Sequence, residues 1–149
     1  MSANTAPIFP AVPFISTADL SNATACTTRN TTTTANLASA PCNAVMLANV
    51  STNGLRIDKV QVQASSSNMT APTTAQTVIL WLSNGSTAYV IDEYAVSVIT
   101  PSTTVPAYNS YELYTNLVIP PTYTLWVSTT VSTTSSTNAI TVTAFGGLY

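Results

Sequence analysis

The sequence predicts an all-β fold, an antiparallel sandwich of about eight strands with a jelly-roll-like arrangement and an extended N-terminal arm. Three observations point there. Helix signals are nearly absent, while Thr, Val, Ile and Tyr, which suit a pleated half-buried surface, dominate the chain. Short apolar or alternating runs recur with turn residues between them. The 149 residues suffice for one domain, which at this size buries roughly 68–70% of its unfolded surface.

Taken in order, residues 1–15 read as the arm. Pro7, Pro10 and Pro13 punctuate Ile8, Phe9, Val12, Phe14 and Ile15. Proline cannot donate to a ladder, so this stretch is no central strand. It either lies along its own domain as an edge or reaches a neighbouring subunit; its apolar character favours the second slightly. Residues 16–149 then form the sandwich. The stretch 16–42 is polar and threonine-rich, with a strand around 20–28 and otherwise irregular. Strands over 44–50 and 55–63 are joined through Asn53-Gly54, a hairpin-type pair. In the second of these, Ile57, Lys59, Gln61 and Gln63 alternate with Asp58, Val60 and Val62, so one face is mixed. The strand over 76–83 contains Val78-Ile79-Leu80-Trp81-Leu82, apolar on both faces, and turns at Asn84-Gly85 into 88–98. Strands over 108–118, 123–131 and 138–145 follow, with Pro120-Pro121 as a break between the first two. No internal repeat and no linker marks a second domain.

Composition narrows function. Three basic and five acidic residues make 5% of the chain charged, against about 25% in typical domains. Low net charge promotes association, as expected of a subunit within an assembly. Arg29, Arg56 and Lys59 are too few for a phosphate-binding surface, so no nucleic acid is expected. No run of about 18 apolar residues suggests a membrane helix, and the first ten residues lack the pattern of a signal peptide.

There is no histidine, which removes the commonest general base and metal ligand. Asp92 and Glu93 are adjacent on a strand and point to opposite faces, and nothing pairs Asp92 with Asp58 or Glu112 across a substrate. No Asp-rich loop offers a calcium site. Catalytic residues, cofactors and metals are therefore not expected, and the chain is not read as an enzyme. Cys26 and Cys42 are a candidate disulfide; two unpaired thiols packed as small hydrophobes are the equal alternative. Asn-x-Ser/Thr triplets occur at Asn22, Asn30, Asn49, Asn68 and Asn84. Twelve asparagines in a chain nearly one-third Ser and Thr give about four such triplets by chance, so they carry little weight.

The second half has a distinctive cadence. Ala88-Tyr89-Val90-Ile91-Asp92-Glu93-Tyr94 leads to Thr100-Pro101-Ser102. Leu117-Val118-Ile119-Pro120-Pro121 leads to Leu125-Trp126-Val127. The stretch ends Ala144-Phe145-Gly146-Gly147-Leu148-Tyr149. Over about residues 55–149 this resembles a group of small tailed-phage virion proteins, with Ala-Phe-Gly-Gly the most specific piece. The resemblance implies a jelly-roll-like cement (decoration) protein on the outer surface of an icosahedral head. Its partners would be the major capsid protein and itself, as a homotrimer, after synthesis in the host cytoplasm. Interface candidates are Ile8, Phe9, Val12, Phe14, Ile15, Phe145 and Tyr149. The alternative is a receptor- or glycan-binding module of a phage head or tail fibre, suggested by seven tyrosines and two tryptophans.

Overall fold

The computed structural model describes residues 12–29, 32–39, 42–50, 53–64, 74–106, 109–134 and 138–149, and for 109–116 the backbone alone. Nine strands and one short helix follow in chain order: β1 Val12–Asp19, β2 Thr32–Thr33, α1 Thr34–Ala38, β3 Val45–Asn49, β4 Leu55–Ala64, β5 Gln76–Ser83, β6 Thr87–Val96, β7 Asn109–Ile119, β8 Thr124–Thr129 and β9 Ile140–Leu148. They build a β-sandwich of two antiparallel sheets. The front sheet has the order β1-β9-β4-β7 and the back sheet β2-β6-β5-β8-β3.

The pairing has a simple plan. Setting aside the two-residue β2, β1 pairs with β9, β3 with β8, β4 with β7 and β5 with β6. The chain is thus one long hairpin, closed at Asn84-Gly85 and folded across itself so that along each arm, β2 aside, successive strands change sheet. Two further pairings, β4 with β9 and β5 with β8, join the folded halves.

The hairpin tip shows why those residues sit there. The Asn84 carboxamide oxygen accepts from the Ser86 and Thr87 backbone N–H groups, at 3.0 and 2.8 Å. Gly85 adopts φ +93°, with nothing near its α-carbon to crowd a side chain. Conformation alone demands glycine there.

The other Asn-Gly pair behaves differently. Residues 45–49 and 55–64 lie in opposite sheets, so Asn53-Gly54 closes no hairpin and carries the chain between layers. The flanking strand ends are bound elsewhere. Val50 N–H donates to the Tyr123 carbonyl at 3.3 Å, the Val50 carbonyl accepts from Thr122 N–H at 3.1 Å, and the Gly54 carbonyl accepts from Tyr149 N–H at 3.3 Å. Long-range pairing that buries both strands outweighs the local turn preference.

The front and back sheets enclose the main core. Leu55, Ile57, Val60, Val62, Ile140 and Val142 meet Leu47, Val78, Leu80, Leu125 and Val127 there. A bulge between Ile57 and Lys59 resolves the mixed face of β4. One extra residue shifts the side-chain parity, so Ile57, Val60 and Val62 all point inward and are fully buried. A second bulge, between Leu80 and Trp81 on the β5–β6 ladder, does the same for β6. Ala88 and Val90 face outward, while Tyr94 and Val96 face the main core.

The N-terminal boundary moves. Val12 to Ile15 belong to β1, an edge strand of the front sheet rather than an arm, and residues 1–11 lie outside the described residues. Pro13 is tolerated because an edge strand is bonded on one side only. The strand expected over 20–28 does not form; Ser21-Asn22 is a turn, and the chain beyond it runs without a ladder of its own. The helix α1, which composition did not suggest, is one turn capped by the Thr33 hydroxyl, which accepts from Asn36 N–H at 3.2 Å.

Candidate functional site

The two outward faces of the sandwich differ. The back sheet presents Ile79, Trp81, Ala88, Val90 and Trp126, a face largely covered, although Met46 of β3, beside Trp126, stays exposed. The cover is residues 23–29, 32–39 and 42–44, which contribute Cys26, Leu37, Cys42 and Ala44 to a second apolar cluster. Cys26 and Cys42 are joined by a disulfide in this cover. Beneath it, the Trp81 indole N–H donates to the Ser128 hydroxyl at 2.9 Å, satisfying both buried groups.

The front sheet carries no such cover among the described residues. Its outward positions follow from the register. Ile15, Phe145 and Lys59 stand side by side across β1, β9 and β4, and Thr17, Thr143 and Gln61 form the next row. Pro13, Gly147 and Arg56 form the row on the other side, continued on β7 by Val118. Ile15 is 68% exposed and Val118 52%. The Lys59 ammonium lies 4.3 Å from the Phe145 ring centre, a cation–π contact that screens the ring without removing it from the surface. The Thr17 and Thr143 hydroxyls hydrogen-bond at 3.1 Å.

Two of the three cations of the chain therefore lie on this face. Arg56 forms a two-pronged pair with Asp58: Nε to Oδ1 at 2.7 Å and Nη2 to Oδ2 at 3.1 Å. The hydrogen bond to Asp58 raises the Arg56 guanidinium above its ordinary value, with desolvation acting in the opposite direction. The third cation, Arg29, sits on the cover, donating to the Thr77 hydroxyl at 3.2 Å and standing 3.8 Å from Glu93.

The interface residues expected from sequence separate into three groups. Ile8 and Phe9 fall outside the described residues. Ile15 and Phe145 are brought together as cross-strand neighbours on the front face, with Val12 exposed at the end of β1. Phe14 turns inward and packs against the main core, and Tyr149 is half-buried beside Gly54. Lys59, Thr17 and Val118 complete the face and were not singled out from sequence. The bulge in β4 conceals the side of Lys59, because it breaks the alternation with Ile57, while Thr17 and Val118 join the face only through the register of β1 and β7.

The tyrosines do not gather into one platform among the residues whose side chains are described. Tyr89 is exposed on β6, Tyr94 is buried, and Tyr123 packs against the main core. Among the described residues, no group of three His, Cys, Asp or Glu could hold a metal ion, and no helix is long and apolar enough to cross a membrane. Comparison with known proteins adds nothing to this geometry: no family model, no curated protein and no solved structure matches the chain.

Proposed function

We propose that this chain is a structural virion protein, a capsid cement protein that binds the outside of a phage head through the front face of its sandwich. The observation that carries the reading is the weakly charged front face, uncovered among the described residues, with Ile15, Phe145 and Val118 outward, opposite a back sheet that the chain largely covers itself. The C-terminal resemblance supplies the step from a protein-binding face to a phage head. Catalysis, cofactors and nucleic acid have no part in this reading.

The sandwich is proposed to be a jelly roll. Eight strands paired first with last, and so on inward, as one folded hairpin support that reading. Jelly rolls serve both capsid and lectin domains, so the fold does not choose between the two functions.

A size estimate sharpens the proposal. Four strands at about 4.8 Å spacing and eight residues at about 3.3 Å rise give a footprint of roughly 500 Å². A standard interface takes about 800 Å² from each partner. The front face alone falls short, so residues 1–11, with Ile8 and Phe9, are proposed to extend the contact, and trimer formation to add more.

Imaging the virion tests the reading directly. Density for this sandwich on the head exterior, front sheet toward the capsomers, is the expected result; absence from the particle would sink it. Native mass spectrometry of the purified chain tests the trimer, and a monomer at high concentration would count against that part.

A further inference from the structure

We infer that the Cys26–Cys42 disulfide is a redox latch on a local cover, so that its reduction opens the cover and exposes the Trp81 face of the back sheet while the sandwich stays folded. Little apolar side-chain surface besides the bonded cysteines holds the cover down. Of the five residues of α1, only Leu37 is buried. Over the apolar face, the cover presents Leu37, Ala44 and the two cysteines. The rest of it is mostly threonine, serine and asparagine facing solvent. Its polar attachments gather at two places. At the root, Ala23 N–H donates to the Thr133 hydroxyl and Thr133 N–H to the Ala23 carbonyl, both at 2.9 Å, with Ala25 N–H to the Ser132 hydroxyl at 3.0 Å and Cys26 N–H to the Thr129 carbonyl at 2.7 Å. At the edge, β2 is laddered to β6 for two residues, with Thr34 N–H to the Ser86 carbonyl at 3.0 Å and the Thr34 and Ser83 hydroxyls at 2.6 Å; the Arg29 contacts are exposed.

The main core is separate. It lies between the sheets, and apart from Ala23 at the root of the cover none of its buried members belongs to the cover. Opening the cover thus leaves the inter-sheet packing of β4, β5, β8 and β9 in place. What it uncovers is an apolar surface of Ile79, Trp81, Ala88, Val90 and Trp126.

The bond spans 16 residues of sequence. In the chain-entropy model, removing such a link raises the opening equilibrium on the order of a hundredfold. The chemistry is thiol–disulfide exchange with a dithiol. A thiolate of the reductant attacks one cysteine sulfur, and the S–S bond breaks toward the other. The reductant's second thiol then resolves the mixed disulfide. The protein gains two electrons and two protons as two thiols, and the reductant becomes a disulfide. Both cysteines are almost wholly buried, so attack follows opening.

The experiment is hydrogen exchange by mass spectrometry on the full chain, oxidised and after dithiothreitol, with tryptophan emission recorded alongside. A double variant, Cys26→Ala with Cys42→Ala, stands in for the permanently unlatched form. The expected result is exchange in 23–29, 32–39 and 42–44 about a hundredfold faster, protection in β4 and β9 unchanged, a red shift of emission, and reversal on reoxidation. Loss of protection throughout the chain, or a double variant that does not fold, would show that the bond holds the whole fold and overturn the latch. Unchanged protection of the cover after reduction would overturn it from the other side.

Discussion

Replacing Gly146 by alanine tests the packing of the front sheet where it is tightest. Gly146 lies on β9 between Phe14 of β1 and Ile57 of β4, next to the β4 bulge. A β-carbon there would run into the Arg56 carbonyl oxygen, with the Arg56 carbonyl carbon at 2.9 Å and Ile57 Cα at 3.1 Å. All three are backbone atoms, so no rotamer change relieves the clash; β4 must move away from β9. Overpacking of this kind costs about 1–3 kcal/mol. A ladder hydrogen bond lost or weakened adds roughly 0.5–1.5 kcal/mol. Against this, alanine stiffens the unfolded chain, a gain of about 0.4–1 kcal/mol. The net expectation is a destabilisation of about 0.5–4 kcal/mol, read as a lower urea midpoint with an unchanged slope, or a melting temperature lower by about 1–16 °C. Gly85→Ala is the control: open space around the site leaves only backbone strain, about 1 kcal/mol. A Gly146→Ala variant within 0.5 kcal/mol of the parent (roughly the scatter of neutral surface changes) would show that the strands do not approach as described.

Other outcomes follow from the same structure. Ile15→Lys should leave the urea midpoint unchanged, because the side chain is mostly exposed, and should lower occupancy on phage heads; equal occupancy would remove the front face from the proposed function. Ser128→Ala leaves the buried Trp81 indole N–H without its acceptor and should cost about 1–3 kcal/mol by chemical denaturation. Asn84→Ala removes the acceptor of two turn N–H groups and should cost about 1–2 kcal/mol, with Asn84→Asp retaining most of it. Stability should be flat from about pH 6 to 9 apart from the amino terminus, since the chain has no histidine and its cysteines are bonded. The Arg56 guanidinium, raised by Asp58, contributes equally across this range and loses that contribution as pH rises above its ordinary value. A midpoint shift across neutral pH would contradict this.

Much of the fold was readable because local and global preferences agreed. Val78 to Leu82 is apolar on both sides, and β5 does lie between two cores. Asn84-Gly85 marks a true hairpin. Reading failed where distant partners decided. Asn53-Gly54 has the same local chemistry, yet the strands it separates find better partners in opposite sheets. The bulges at Ile57/Lys59 and Leu80/Trp81 reset the side-chain period, which no window of alternation anticipates. The threonine-rich stretch after residue 19 reads as a strand over 20–28 followed by irregular chain, whereas that strand is absent and β2 and α1 lie beyond it; its work as a cover depends on Leu37 and the two cysteines meeting a face formed by other strands. The candidate site suffered most, since Ile15, Phe145 and Lys59 are neighbours only through register.

The folded-hairpin plan sets a condition on synthesis. β9 occupies an interior place in the front sheet, between β1 and β4, although it is the last of the strands to be made. While residues 140–148 are still within the ribosome, β1 has no partner in its sheet and β4 lacks one of its two. The earlier strands must wait with their edges open, and the sheet is completed by insertion rather than by growth from one side. Completion of the front sheet is therefore expected to wait until residues 140–148 have emerged, and their loss would remove the middle of a sheet, not its margin.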